Sequence, residues 1–161
     1  MLLHRTIKKN VTLVLAMLIL VLSAYIPVLA QNRGPKNVRI KIERADVLRH
    51  DDKIGKNTQS LNGSVMLSHA KTIMYCDSAY MYNDSNTVIC YGSIHIIQND
   101  SLHLYGDKLT YLGNDNLAKV RENVRANKGN TWLYTEYLDY NRLMDKAYYY
   151  NGGKVVNGES T

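Results

Sequence analysis

The sequence predicts an all-β fold, a stack of antiparallel strands bent into a curved jellyroll. Three observations lead there: short runs in which apolar and polar residues alternate, turn residues between those runs, and a motif that returns about every 30 residues. The chain has 161 residues, a formal net charge of +6, 45% hydrophobic residues, 13 tyrosines and no phenylalanine. That length allows one domain with short extensions and excludes most multidomain enzymes. The hydrophobic content is too high for a disordered chain.

The first element is not part of the fold. Arg5, Lys8 and Lys9 precede an almost purely apolar run, residues 11–26, and Pro27 then breaks any helix. Val28-Leu29-Ala30 before Gln31 places small residues where a signal peptidase cuts. Residues 1–30 are therefore expected to be a cleavable export signal, and residues 31–36 a short linker. An uncleaved anchor is the alternative, because the run approaches the roughly 20 residues that span a bilayer. Removal of residues 1–30 leaves 131 residues with 17 basic and 14 acidic side chains, a net charge of +3. The basic excess is then too small to indicate nucleic acid.

Residues 37–157 form the expected β domain, with 158–161 as a tail. In residues 37–43, Val38, Ile40 and Ile42 share one face and Arg39, Lys41 and Glu43 the other, the period of a half-buried strand. Val88, Cys90, Ile94 and Ile96 continue this parity, as do Leu102 and Leu104, then Ala118, Val120 and Val124. Turn residues fall between the runs at 83–86, 98–100, 113–116, 127–130 and 151–153. The final strands are expected near 147–157.

The runs repeat. Tyr75-Cys76-Asp77 returns as Tyr105-Gly106-Asp107 and as Tyr134-Thr135-Glu136, and Arg44-Ala45-Asp46 is a looser first copy. Gly63-Ser64-Val65 returns as Gly92-Ser93-Ile94 and Glu122-Asn123-Val124. In the first set the inward parity switches at the acid: Leu102, Leu104 and Gly106 are even-numbered, Leu109 and Tyr111 odd. A one-residue slip turns side chains to the other face, so a bulge or corner is expected there.

Chemistry-bearing motifs are scarce. There is no phosphate-binding glycine loop, no GxSxG and no HExxH. His50, His69, His95 and His103 lack metal-ligand spacing. Asp46, Asp77, Asp107 and Glu136 recur once per repeat, which points to architecture rather than catalysis. No cofactor, metal or enzymatic activity is expected. Cys76 and Cys90 fall on inward positions, and a hairpin centred on 84–85 would place Cys76 opposite residue 93. Two buried thiols are expected in preference to a disulfide.

The repeat resembles the OstA/LptA family of periplasmic lipopolysaccharide-export proteins, its OstA-like branch in particular, which implies a periplasmic location. The matching stretches include IKIERADVL (40–48), LNGSVMLSH (61–69), MYCDSAYMY (74–82), YGSIHI (91–96), DSLHLYGDKLTY (100–111), VRENVR (120–125), LYTEYLDY (133–140) and AYYYNGGKVVN (147–157). The resemblance implies a V-shaped "β-taco" whose apolar inner face carries the acyl chains of lipopolysaccharide. It also implies partners of the same fold, or further copies of the chain, joined by edge-strand pairing. On that basis the expected lipid groove comprises Val65, Leu67, Met74, Ala79, Met81, Val88, Ile94, Ile96, Leu104, Leu109, Tyr111, Val120, Leu133, Leu138 and Tyr140. The alternatives are an envelope scaffold that binds no lipid, with the same side chains forming a closed core, and a membrane-anchored acceptor similar to the LptC component.

Overall fold

The structure is a computed structural model that describes residues 38–50 and 54–158. The expected export signal and linker lie outside the described residues.

Among the described residues ten strands form a single antiparallel sheet: β1 (Lys41–Arg44), β2 (Val47–His50), β3 (Thr58–His69), β4 (Thr72–Tyr82), β5 (Thr87–Gln98), β6 (Leu102–Leu112), β7 (Leu117–Lys128), β8 (Thr131–Asn141), β9 (Lys146–Tyr149) and β10 (Lys154–Asn157). β3 to β8 are consecutive neighbours. At one end β1 and β2 pair with the two halves of β3, and at the other β10 and β9 pair with the two halves of β8. The sheet is a meander with two free edges.

Every long strand is broken near its middle, and the breaks line up across the sheet. They fall at Asn62/Val65, Tyr75/Ser78, Tyr91/Ile94, Tyr105/Lys108 and Arg121/Val124. The line divides the sheet into two leaves. Leaf A holds β1, β10, the second halves of β3, β5 and β7, and the first halves of β4, β6 and β8. Leaf B holds the rest.

The expected corner is present, but the extra residue sits on the facing strands. The additional residues are the pairs Gly63-Ser64, Gly92-Ser93 and Glu122-Asn123, with φ of 77° and 46°, 72° and 46°, and 65° and 53°. Two consecutive left-handed residues reverse the pleat. On β3, β5 and β7 the inward side chains resume four residues later, at Leu61/Val65, Cys90/Ile94 and Val120/Val124. Their parity is kept, so alternation alone does not reveal the corner on these strands. On β4, β6 and β8 the spacing is three, and the parity visibly switches.

The corner acids hold these left-handed pairs. Asp77 Oδ2 accepts from Ser93 Oγ at 3.0 Å, Asp107 Oδ2 from Asn123 Nδ2 at 2.5 Å, and Glu136 Oε2 from the Asn123 amide at 3.3 Å. A side chain on Gly63 or Gly92 would collide with Asp46 or Asp77. Asp77, Asp107 and Glu136 thus each have a hydrogen-bond partner at the corner.

No helix covers the apolar face of this sheet among the described residues. Yet Leu61, Leu67, Met74, Val88, Leu109, Val120 and Leu138 have no exposed surface. The two leaves therefore close on each other, and the core lies between them. The first alternating run departs from its expected pattern. Ile40 is buried and Ile42 half-buried, but Val38 is 39% exposed. Residues 38–40 leave the sheet and pass across the seam between the leaf tips.

Candidate functional site: the interleaf space

Strand alternation and the corner together place all fifteen expected groove residues on the inner face. Fourteen are buried, from Val65, Leu67, Met74, Ala79, Met81 and Val88 through Ile94, Ile96, Leu104, Leu109, Tyr111 and Val120 to Leu138 and Tyr140. Leu133 alone is half-buried. They form a packed interior, continuous with Ile40, Leu61, Cys76, Cys90, Leu102, Ala118 and Val124. Cys76 and Cys90 are free thiols on either side of the β4–β5 corner. A hydrogen bond to Cys76, together with burial, pushes the Cys90 thiol well up.

Between the leaves, near β7 and β8, lies a cavity of about 170 Å3 lined by Leu102, Leu104, Ala126, Leu133, Tyr140 and Ala147. Lys128, Thr131 and Asp145 form its polar margin. Of the expected residues it brings together Leu104, Leu133 and Tyr140. Leu102, Ala126 and Ala147 were missed, although Leu102 already stood in an alternating run. Across the mouth, Lys128 Nζ of leaf A meets Asp145 Oδ2 of leaf B at 2.8 Å, and both side chains are more than half exposed. The Tyr140 hydroxyl donates to Asp145 Oδ1 at 3.0 Å. Burial and this carboxylate hold the Tyr140 phenol far above its ordinary value.

Toward the β1 end the seam is closed by buried polar groups. His69 on leaf A faces Tyr111 on leaf B. The Val38 carbonyl can only accept, so His69 Nε2 carries the proton and donates to it at 2.9 Å. Nδ1 then accepts from the Tyr111 hydroxyl at 2.8 Å. Burial lowers the His69 pKa, and the Arg142 charge adds to that effect. Residues 38–40 are strapped to leaf B by Asn86, whose Oδ1 accepts from the Ile40 amide at 2.9 Å and whose Nδ2 donates to the Val38 carbonyl at 3.1 Å. Arg39 donates to the Asn83 carbonyl at 2.6 Å. Asn86 and Asn116 occupy the same left-handed position of successive turns. Sequence reading placed both in turns and gave neither a role, though their 30-residue separation was visible.

The outer face of leaf A carries a row of rings: Tyr75 on β4, His95 on β5, Tyr105 on β6, and Trp132 and Tyr134 on β8 lie roughly parallel. Cross-strand ring pairs of this kind stabilise a sheet. His95 Nε2 lies 3.0 Å from His103 Nδ1, and burial together with that neighbour lowers the His95 pKa. Among the described residues no three His, Cys, Asp or Glu side chains converge as a metal site would require.

Residues 37–161 match the family model described as "OstA-like protein". No curated protein matches the chain. Among solved structures the fold is similar to LptH, described as the LptA-homologous periplasmic component of the conserved lipopolysaccharide transport device from Pseudomonas aeruginosa. The superposition has a TM-score of 0.66 at 15% identity and covers 76% of this chain and 96% of that one.

Proposed function

We propose, from the premise that the chain belongs to the OstA-like family, that it is an exported lipid carrier holding acyl chains of lipopolysaccharide between its two leaves. The observation that carries this reading is the folded sheet itself. One apolar face is turned in on itself, and a gap lies between the leaves at the β7–β8 end. The likeness in fold to a periplasmic transport component supports it, and the basic-apolar segment before residue 31 supports a periplasmic location.

The physical need is plain. Exposing an acyl chain of about a dozen methylenes to water costs roughly 10 kcal/mol. A protein that replaces water around those methylenes carries the lipid without chemistry, and no nucleophile–base pair is needed. Chains enter by parting the leaves, so that lipid methylenes replace the leaf-to-leaf contacts of Leu104, Leu138 and Tyr140. The free edges at β1/β2 and β9/β10 let further sheets of the same fold continue the trough from inner to outer membrane.

One observation favours the scaffold reading instead: most inner side chains are already fully packed. Detergent-free purification from cells followed by mass spectrometry separates the two. Lipid that co-purifies with the protein, and is lost in Ala126→Trp, is the expected result. A lipid-free preparation from cells making lipopolysaccharide favours the scaffold.

A further inference from the structure

We infer that the outer face of leaf A carries a binding groove for a neutral saccharide chain, separate from the interleaf space and independent of the carrier reading. A groove of about 810 Å3 crosses β5, β6, β7 and β8 beside the corner. Its far end is bordered by Asn151 and Gly152 of the β9–β10 link, where Thr135 Oγ1 donates to the Gly152 carbonyl at 2.8 Å. The volume lies within the range of small-ligand sites. Neighbouring strands lie about 4.8 Å apart, so an extended chain of pyranose rings laid across them sets roughly one sugar on each strand.

Each strand brings two kinds of group to this groove. β6 offers the Tyr105 ring and the Asp107 carboxylate, and β8 the Tyr134 ring and the Glu136 carboxylate. β5 offers the His95 ring and the Ser93 hydroxyl. On β7 the Asn123 amide is joined by the Arg125 guanidinium in place of a ring, and that guanidinium lies 5.2 Å from the centre of the Tyr105 ring. Tyr134 is 41% exposed. The acids keep acceptors for a ligand. Asp107 accepts from Asn123 Nδ2 through Oδ2, and Glu136 accepts from the Asn123 amide through Oε2. Asp107 Oδ1 and Glu136 Oε1 are left to take hydroxyl donors. A sugar presents the matching alternation, C–H patches for the rings and hydroxyls for carboxylate, amide and guanidinium.

Other ligand classes fit the groove less well. Two carboxylates against one guanidinium oppose a polyanion. An acyl chain laid here would bury those charged groups without partners. A peptide strand binds by main-chain pairing at a sheet edge, but all four strands are already paired on both sides. A neutral chain rich in hydroxyls meets none of these objections.

Calorimetric titration of the exported protein with cellotetraose and chitotetraose, and with the disaccharide of each, tests this. Trp132 supplies a second signal: it is the sole tryptophan and its ring centre lies 6.2 Å from that of Tyr134. At least one tetraose is expected to bind and to shift the Trp132 emission. It should bind about 10-fold more tightly than its own disaccharide, because it reaches four strands rather than two. Tyr134→Ala, at an exposed position, is expected to weaken the tetraose about 10-fold. Arg125→Ala, also exposed, should weaken it several-fold, and Tyr91→Ala on the outer face of leaf B should leave it unchanged. No binding of either tetraose at millimolar concentration, or binding indifferent to both groove substitutions, overturns the groove. Binding of decyl maltoside without binding of a free tetraose assigns the sugar to a lipid held inside and overturns it as well. Carriage between the leaves is decided separately, by the lipid that co-purifies.

Discussion

At the residue scale, the corner depends on backbone conformations that most side chains resist. Gly106 faces Val120, and a β-carbon there would lie 2.5 Å from Val120 Cγ1. Gly106→Ala is expected to lower unfolding free energy by about 1–3 kcal/mol in a denaturant titration. Glu122 offers the converse. It holds φ of 65° where the two earlier copies have glycine, so Glu122→Gly should stabilise the fold by about 0.5–1 kcal/mol. His69 and His95 both have pKa values lowered by burial, so the folded state favours their neutral forms. Their contribution is complete above the unfolded histidine pKa of about 6.5 and is lost as pH falls below it. Melting temperatures measured from pH 7.5 to 5 should fall, and His69→Leu should flatten part of that slope.

At the element scale, the strands between residues 87 and 128 were legible because alternation and turn residues agree, whereas β2 and the turn that separates β3 from β4 were not read from the sequence. The corner was legible on β4, β6 and β8, where Cys76-Asp77 and Gly106-Asp107 shift the inward parity. It was hidden on β3, β5 and β7, where two left-handed residues restore the parity they interrupt. Gly63-Ser64 and Gly92-Ser93 were visible as repeats, but a repeated pair does not reveal its φ. The strap at residues 38–40 was not legible, because Val38-Arg39-Ile40 alternates like a strand and only tertiary contact with Asn86 and His69 lifts it away. Cys76 and Cys90, packed at the corner, should resist a thiol reagent in the native state and titrate as two thiols once denatured. The edges carry exposed apolar side chains, Leu48 on β2 and Val155 on β10. Leu48→Lys with Val155→Lys is expected to suppress end-to-end association in light scattering, since charged edges oppose strand pairing.

At the scale of the whole sheet, its two ends differ in what holds the leaves together. Near β1 the seam is closed by buried groups: the His69–Tyr111 hydrogen bond, the strap and Ile40. Near β8 a solvent-exposed ion pair spans a cavity. Parting the leaves is therefore easiest at the β8 end. The candidate site divides the same way. The inner-face residues were legible from period-two alternation, which fixes the side a residue faces. The cavity was not, because it depends on where two leaves far apart in sequence fail to meet, at Ala126 and Ala147.

Site-specific photocrosslinking in cells tests the central claim most directly, with the reactive group placed at inward Ile94 or Leu109 and at outward Tyr91 or Lys108. Acyl chains held between the leaves require lipopolysaccharide adducts from Ile94 and Leu109 and none from Tyr91 or Lys108. Adducts confined to the outward positions would contradict carriage within the fold.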